Sequence, residues 1–325
     1  MGSITDIESI KVGHASDTEA VTGCTVILFD KPALGAVDMR GGGTSTRQID
    51  PLLSHNTFGK IHGVLFTGGS AFGLNASSGV MRYLEDNKTG LHVGGGMYVP
   101  SVPTAVIFDL GIGDGNVRPD GEMGYRACLS AKSDNTEQGS VGAGTGATIG
   151  KLLGISHATK GGIGQSSFNF ENGVTVGVLT VVNAFGDIVS PKTGEVIAGL
   201  RDSPDGSKYP GTVNLMRKGV VREFEEPFNT TLALVATNAE LSKGELARVS
   251  IIAQGGLSKV ISPVHTGADG DLVIAVSTAE LKADANTVGS VAAELIVESI
   301  VRASQESKSL GGIPSPGEFR KRKTI

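Results

Sequence analysis

The sequence predicts a mixed α/β sandwich in one large domain, and three observations support that fold class. Apolar residues make up 39% of the 325 residues, which is enough for a substantial core. Strand-like and helix-like patterns alternate along the chain, and no break in composition marks a second domain. The 48 glycines fall in clusters without a fixed period. That distribution indicates many tight turns, not a fibrous or disordered chain.

Strands are predicted where β-branched residues run between glycine or aspartate. These runs cover residues 24–29, 61–67, 105–110, 174–182, 231–237 and 272–276. The run 174–182 is nearly all apolar and is therefore predicted to be buried on both faces. A further strand is predicted to end in a glycine-rich turn at residues 37–43.

Helices are predicted from apolar residues at helical spacing. Residues 71–84 and 285–303 carry this spacing. A capping box, Ser242 with Glu245, opens a third helix that we expect to continue to about Ala253. Residues 202–211 form a loop by turn chemistry, and the acidic stretch 114–122 is predicted to consist of plain turns.

Charge and composition exclude several classes of function. The net charge of −5 gives no reason to expect a nucleic-acid partner. No apolar run approaches the roughly 18 residues of a membrane span. The two cysteines have no redox or metal spacing and the N-terminus has no signal pattern, so we expect a cytoplasmic protein. The six histidines lack the HxxxH pairing of a zinc site, so no metal or other cofactor is predicted.

The glycine-rich stretch 142–151 invites comparison with a phosphate-binding loop. It fails that pattern because Thr145 stands where the first glycine is needed and Leu152, in place of Ser or Thr, follows Lys151. A polar stretch, not a strand, precedes it, which argues against a dinucleotide site. The loop is instead predicted to deliver Lys151 to a cleft.

The junction between Asn229 and Thr230 is the strongest indication of chemistry in the chain. A charged segment at residues 222–226 runs into the apolar strand 231–237, and a hydroxyl residue stands at the join. Thr230 Oγ could attack the Asn229 carbonyl, break the backbone and leave Thr230 as a new N-terminus. The freed α-amine, with a reference pKa of about 7.7–8.0, could then act as base for its own hydroxyl. The alternative is a threonine that merely begins a strand.

Three further polar residues stand at predicted strand ends. Asp269 and Asp271 flank a glycine directly before the strand 272–276, where both carboxylates can point into one cleft and receive an ammonium group. The alternative is an ordinary acidic turn, and a calcium loop is disfavoured because the remaining spaced oxygens are missing. Asn183 ends the strand 174–182, and its amide suits an oxyanion donor. It could equally be a strand-end turn residue.

Five ordered blocks of this sequence together resemble one enzyme family. The blocks are residues 37–42, 67–74, 142–151, 229–231 and 265–271. They are similar to those of the self-processing hydrolases that include DmpA-type L-aminopeptidase/D-amidase-esterases, β-peptidyl aminopeptidases and nylon-oligomer endo-amidases. The likeness covers nearly the whole chain.

This resemblance implies a fold, an activity and a set of site residues. It implies cleavage into an α chain of residues 1–229 and a β chain of residues 230–325, packed as an αββα four-layer sandwich of the N-terminal-nucleophile type. Such αβ units commonly associate as tetramers. Thr230 matches the nucleophile, Lys151 and Asn183 match residues that line it, and Asp269 and Asp271 match an acidic pair. The implied substrates are small peptides or oligoamides.

Two positions depart from relatives in that family. Phe108 stands where several members have a tyrosine whose hydroxyl helps to hold the oxyanion. Phenylalanine cannot donate a hydrogen bond, so either Asn183 and backbone N–H groups take that role or activity is reduced. Val106 stands where aminopeptidase members place a glutamate that receives the substrate's free amine. Together with threonine at 230, this favours the endo-amidase branch. The alternatives are a non-enzymatic binding protein on the same scaffold and an acyl transferase like the ornithine acetyltransferases.

Overall fold

The computed structural model describes residues 2–56, 59–221 and 229–322. The charged segment 222–226, predicted above to precede the cleavage junction, lies outside the described residues. Within the described ranges no helix is both long and apolar enough to cross a membrane.

Sixteen strands are described. In chain order they are β1 Ile10–Asp17, β2 Thr22–Met39, β3 Thr46–Arg47, β4 Lys60–Thr67, β5 Leu91–His92, β6 Tyr98–Val99, β7 Thr104–Val106, β8 Thr148–Ile149, β9 Thr159–Lys160, β10 Gly162–Asn169, β11 Thr175–Asn183, β12 Asp187–Val189, β13 Val196–Ala198, β14 Thr230–Glu240, β15 Ile261–Ser262 and β16 Leu272–Lys282.

Seven α-helices accompany these strands in the described part of the chain. They are α1 Ser70–Gly73, α2 Ala76–Asp86, α3 Gly121–Leu129, α4 Thr212–Arg217, α5 Lys243–Val260, α6 Ala285–Gln305 and α7 Pro316–Arg322.

One sheet of nine described strands forms the centre of the molecule. Its order is β10-β11-β14-β16-β2-β4-β7-β3, and β1 also pairs with β2. The pairs β14–β16 and β4–β7 are parallel and the others are antiparallel. The eighteen-residue strand β2 joins two halves of the sheet, because residues 34–39 pair with β16 while residues 22–29 pair with β1 and residues 24–34 flank β4.

Alternating side chains divide the core into layers, since successive residues of a strand face opposite sides. In β14, Ala233 and Val235 pack with α5 and α6, whereas Leu232 and Leu234 face a second core that contains residues from both halves of the sheet. In β2, Val26 points away from that second core and packs with α2 and α3. The layers are therefore, in order, helices α5 and α6, one half of the sheet, the other half of the sheet, and helices α2 and α3. This order confirms the predicted αββα sandwich.

The strands predicted at 24–29, 61–67, 174–182, 231–237 and 272–276 and the helix at 285–303 are confirmed. The helix that opens at the capping box of Ser242 and Glu245 continues to Val260, beyond the predicted end. The strand predicted at 105–110 ends at Val106, and the helix predicted at 71–84 is divided into α1 and α2.

One predicted turn is wrong. Asp120 is the N-cap of helix α3, and its side chain accepts a hydrogen bond from Met123 N at 2.9 Å. Glycines within the two helices allow α2 and α3 to pack closely. A Cβ on Gly79 would lie 1.7 Å from Gly121 O, and one on Gly124 would lie 2.0 Å from Ala76 O.

The two sides of the Asn229–Thr230 junction are interleaved in the sheet. Strands β14 and β16 follow the junction and lie side by side. Their outer neighbours, β11 and β2, both precede it. The two halves of the chain therefore share one continuous set of backbone hydrogen bonds.

Candidate active site

Chemically competent side chains gather at one end of the four central strands. β11 ends there with Asn183, β14 begins there with Thr230, and Asp271 directly precedes the first residue of β16. Thr230 pairs directly with Asn183 in the antiparallel register of β11 and β14. The register alone therefore brings together residues that lie far apart in the sequence.

Thr230 is held against the carbonyl group that precedes it. Its Oγ1 donates a hydrogen bond to Asn229 O at 2.5 Å, and Gly270 N donates to the same oxygen at 2.7 Å. Thr230 is only 4% exposed. A Cβ on Gly270 would lie 2.7 Å from Thr230 Oγ1, so glycine allows this close approach of the loop to the hydroxyl.

The two carboxylates of the acidic loop are both buried, and each has a different set of donors. Asp269 accepts from Phe185 N at 3.2 Å and from Thr266 Oγ1 at 2.5 Å. Asp271 accepts from Thr231 N at 2.7 Å and from His265 Nδ1 at 3.0 Å. Among the described contacts neither carboxylate bonds Thr230 Oγ1 directly. The described link from this pair to the start of β14 is the hydrogen bond from Thr231 N to Asp271.

The environment of Asp269 favours the protonated form of its carboxyl group. Burial, followed by the charge of Asp271, raises the pKa of Asp269 to about 6. Its hydrogen bonds to Thr266 and Phe185 oppose that shift. A carboxyl that titrates this close to neutrality can change the charge of the site within the working pH range.

Asn183 connects the Gly-rich loop with the end of the sheet. Its Oδ1 accepts from Lys151 Nζ at 2.7 Å and from Thr148 N at 3.0 Å, and its carbonyl oxygen accepts from Lys151 Nζ at 3.1 Å. Its Nδ2 donates to Phe108 O at 3.0 Å. The loop therefore brings Lys151 to Asn183. The amide predicted to bind an oxyanion has a main-chain acceptor in this structure.

Val106 is the last residue of β7, and Phe108 follows two residues beyond the end of that strand. Phe108 is half-buried, and its described polar contact with the site is through its carbonyl oxygen. Val106 is buried at the end of β7, where its N–H donates to Ser45 O at 3.3 Å. Its side chain brings no charge to the site.

Asp109, a second possible receiver for a substrate amine, is already bound. It is buried, and it accepts from Gly69 N at 2.6 Å and from Thr22 Oγ1 at 2.7 Å. Burial raises the pKa of Asp109, and the nearby charge of the fully buried Lys160 acts in the opposite direction. Through these contacts Asp109 joins the turn at Gly69 to Thr22, the first residue of β2.

Two contributors to the site were not singled out from the sequence. Gly270 supplies an N–H to the Asn229 carbonyl, and His265 binds Asp271. Backbone donors have no residue signature, and His265 stood in the sequence only as part of the acidic block. Across the described residues, no group of His, Cys, Asp and Glu side chains has the arrangement of a metal site.

Comparison with known proteins finds a matching family and relatives over nearly the whole chain. The profile of peptidase family S58 matches residues 2–314. The uncharacterized aminopeptidase ML1167 of Mycobacterium leprae is 38% identical, with 98% of this chain and 96% of that protein covered. The 6-aminohexanoate-oligomer endohydrolase of Paenarthrobacter ureafaciens is 28% identical over 92% of this chain and 85% of its own length.

The fold also matches a solved structure. The L-aminopeptidase D-Ala-esterase/amidase of Ochrobactrum anthropi, described as a variant of the Ntn-hydrolase fold, superposes with a TM-score of 0.74. The match covers 96% of this chain and 88% of that one at 20% sequence identity, so it bears on the fold alone.

Proposed function

The chain belongs to peptidase family S58, and from this premise we propose that it is a self-processing amide hydrolase with Thr230 as its nucleophile. The observation that carries the proposal is the contact of Thr230 Oγ1 with the Asn229 carbonyl oxygen. Gly270 N–H is placed on the same oxygen, where negative charge would develop during attack. Nucleophile, target and oxyanion donor thus meet at one peptide bond.

Maturation proceeds through an ester. Thr230 Oγ attacks the Asn229 carbonyl carbon, the hydroxyl proton passes to the departing amide nitrogen, and the C–N bond breaks. Water then hydrolyses the ester, which leaves the Asn229 carboxylate and a free α-amine on Thr230. The products are chains of 229 and 96 residues.

The mature enzyme uses the new α-amine as its base. The amine takes the proton of Thr230 Oγ while the oxygen attacks the substrate carbonyl, and it returns the proton to the leaving amine. Water then releases the acyl group by the same route. Lys151 supplies positive charge beside Asn183. The carboxylates of Asp269 and Asp271 favour the ammonium form that arises during attack.

The substrates that fit this proposal are small peptides or oligoamides. Relatives are named both as aminopeptidases and as an oligomer endohydrolase. The residues of the site favour the second kind of activity, because Val106 has no carboxylate and Asp109 is already bound. We therefore propose internal or blocked amides as good substrates.

A comparison of capped and free substrates tests that choice. We expect matched amides with and without an N-acetyl cap to be cut with comparable kcat/KM. A charge-assisted hydrogen bond to a free amine is normally worth about 1.5–3 kcal/mol, or roughly 10- to 100-fold. A preference for the free amine above about a hundredfold would contradict the prediction and would mean that another acid receives the amine.

A second prediction concerns pH. The acidic limb of kcat/KM should contain two ionisations, that of the α-amine at about 7.7–8.0 and that of Asp269 at about 6. In a plot of log(kcat/KM) against pH, the slope should steepen from one to two below the pKa of Asp269. The variant Asp269→Asn should show a slope of one throughout this range. A single slope in the unmodified enzyme would remove Asp269 from the ionisations that govern the reaction.

The contribution of Asp269 to the stability of the fold should fall as pH rises, in contrast to its contribution to activity. Its folded pKa lies above the reference value of 3.8, so folding favours the protonated form. Its contribution to stability is therefore complete below the unfolded pKa and is lost as pH rises through about 6. As pH rises to about 6, ionisation of Asp269 should therefore raise kcat/KM and lower the free energy of unfolding.

Denaturing electrophoresis with intact-mass analysis tests the proposed maturation directly. Two fragments that begin at Met1 and Thr230 are expected, together with hydrolysis of aminoacyl anilides, β-amino amides or ω-amino-acid oligomers. A single full-length chain after prolonged incubation would contradict self-cleavage. Cleaved protein that is inactive on the whole panel would favour a binding role.

The assembly and location of the protein are also proposals. We propose that the αβ units associate as a homotetramer in the cytoplasm, which the resemblance to the family supports. Both cysteines, Cys24 and Cys128, are buried and unpaired, as suits a reducing compartment. Light scattering on the purified protein measures the assembly, and a monomeric mass would contradict it.

A further inference from the structure

His265 adopts a backbone conformation that calls for a functional explanation. Its φ of +56° lies in the left-handed region, which residues other than glycine seldom occupy. It stands in the loop that carries Asp269 and Asp271, and its side chain is 19% exposed. Strain of this kind persists where surrounding contacts over-determine the conformation, as they do at many active sites.

This conformation places two nitrogen atoms of His265 near the same carboxylate oxygen of Asp271. Both His265 N, at 3.1 Å, and His265 Nδ1, at 3.0 Å, lie within hydrogen-bond distance of Asp271 Oδ2. An ionised carboxylate only accepts hydrogen bonds, so the imidazole proton belongs on Nδ1. Both donors therefore point at the same buried oxygen.

The other oxygen of Asp271 reaches the main chain beside the nucleophile. Asp271 Oδ1 accepts from Thr231 N at 2.7 Å. His265, Asp271 and Thr231 thus form a chain of hydrogen bonds that ends one residue from the reacting hydroxyl of Thr230. A shift of the carboxylate would move the N-terminal end of β14, where the attacking oxygen is attached.

We propose that His265 is a positioning residue that orients the Asp271 carboxylate and, through it, the backbone that carries the Thr230 nucleophile. Its role in catalysis rests on the proposed function, but the orientation of Thr231 does not. The competing explanation is that His265 only stabilises its own loop. A residue that only stabilises the loop needs its backbone conformation, whereas a positioning residue also needs its side-chain N–H donor.

Two substitutions separate the side chain from the backbone conformation. His265→Asn keeps a side-chain N–H at the same number of bonds from the main chain as Nδ1, and asparagine tolerates the left-handed region. His265→Gly accepts the same backbone conformation without a side-chain donor. The pair therefore differs in the hydrogen bond to Asp271 while both members relieve backbone strain.

In the mature enzyme, His265→Gly is expected to lower kcat by about 10- to 100-fold, the range for loss of a hydrogen bond to a charged group. KM should stay close to that of the unmodified enzyme, and maturation should slow. His265→Asn should recover most of the lost kcat. Equal impairment of the two variants, or normal turnover by His265→Gly, would overturn the proposal.

A second measurement does not depend on activity. In the Thr230→Ala chain, amide hydrogen exchange at Thr231 should be faster with His265→Gly than with His265 or with His265→Asn. Unchanged exchange in the glycine variant would overturn the positioning role even if the protein is an active hydrolase. Faster exchange would support it even if the protein cleaved no amide, so the two proposals can fail separately.

Discussion

Thr230→Ala is expected to remain a folded, full-length chain and to hydrolyse amides on the order of 10⁴-fold or more slowly than the mature protein. Alanine has no hydroxyl to attack the Asn229 carbonyl, so no new N-terminus forms and neither the nucleophile nor its base exists. Gly270 N–H can still bind the Asn229 oxygen, so we expect the loop to keep its position. Intact mass reports the cleavage, and a matched amide assay reports the rate.

Two variants control for this result. Thr230→Ser keeps a hydroxyl on the same backbone atom and should mature and retain part of the activity. Asn229→Ala should mature more slowly but still cleave, because the carbonyl under attack is retained and the one described hydrogen bond of the Asn229 side chain is a long one, to Ala268 O at 3.3 Å. Normal cleavage of Thr230→Ala would identify a foreign protease and would remove Thr230 as the nucleophile.

Loss of the Asn183 amide should have the next largest effect. Asn183→Ala is expected to lower kcat by about 10²–10³-fold, the range for a lost oxyanion donor. It should also destabilise the fold by about 1–3 kcal/mol, the cost of leaving a buried polar group such as Thr148 N–H without its acceptor. Steady-state kinetics and thermal unfolding measure the two effects separately.

Asn183→Asp is the matched control for the donor role. Aspartate keeps an oxygen for Lys151 and Thr148 but replaces the N–H donor with a second acceptor facing the Phe108 carbonyl. If donation matters, this variant should lose kcat while Lys151 stays in place. Turnover equal to that of the unmodified enzyme would show that the amide donor is dispensable and that Gly270 or another N–H group suffices.

Asn183 and Thr230 were predicted as candidate site residues because they stand at the ends of strongly apolar strands. Asn183 closes a run with no polar interruption except threonine, and Thr230 opens another. Polar side chains at such points are placed at the edge of the core, where a cleft can form. Two strands that pair in the antiparallel register then bring these residues together.

The contacts of the site could not be predicted in the same way. The hydrogen bond from Asn183 to the Phe108 carbonyl joins two sheet layers, and its existence depends on tertiary packing. Tertiary contacts also explain why β7 ends earlier than predicted. The carbonyl of Phe108 binds Asn183, and the carboxylate of Asp109 binds Gly69 and Thr22. Helix α3 was missed because its glycines serve helix packing, whereas local propensity associates glycine with turns.

The interleaving of β14 and β16 between β11 and β2 has a consequence for the lifetime of the proposed cleaved protein. In that form the shorter fragment would contribute two central strands to a sheet whose flanks belong to the longer one. Neither fragment then contains a complete core, so recovery after unfolding becomes an encounter between two molecules and slows with dilution. A protein that folded as one chain would have to reassemble as two. Its durability would therefore be set by its rate of unfolding.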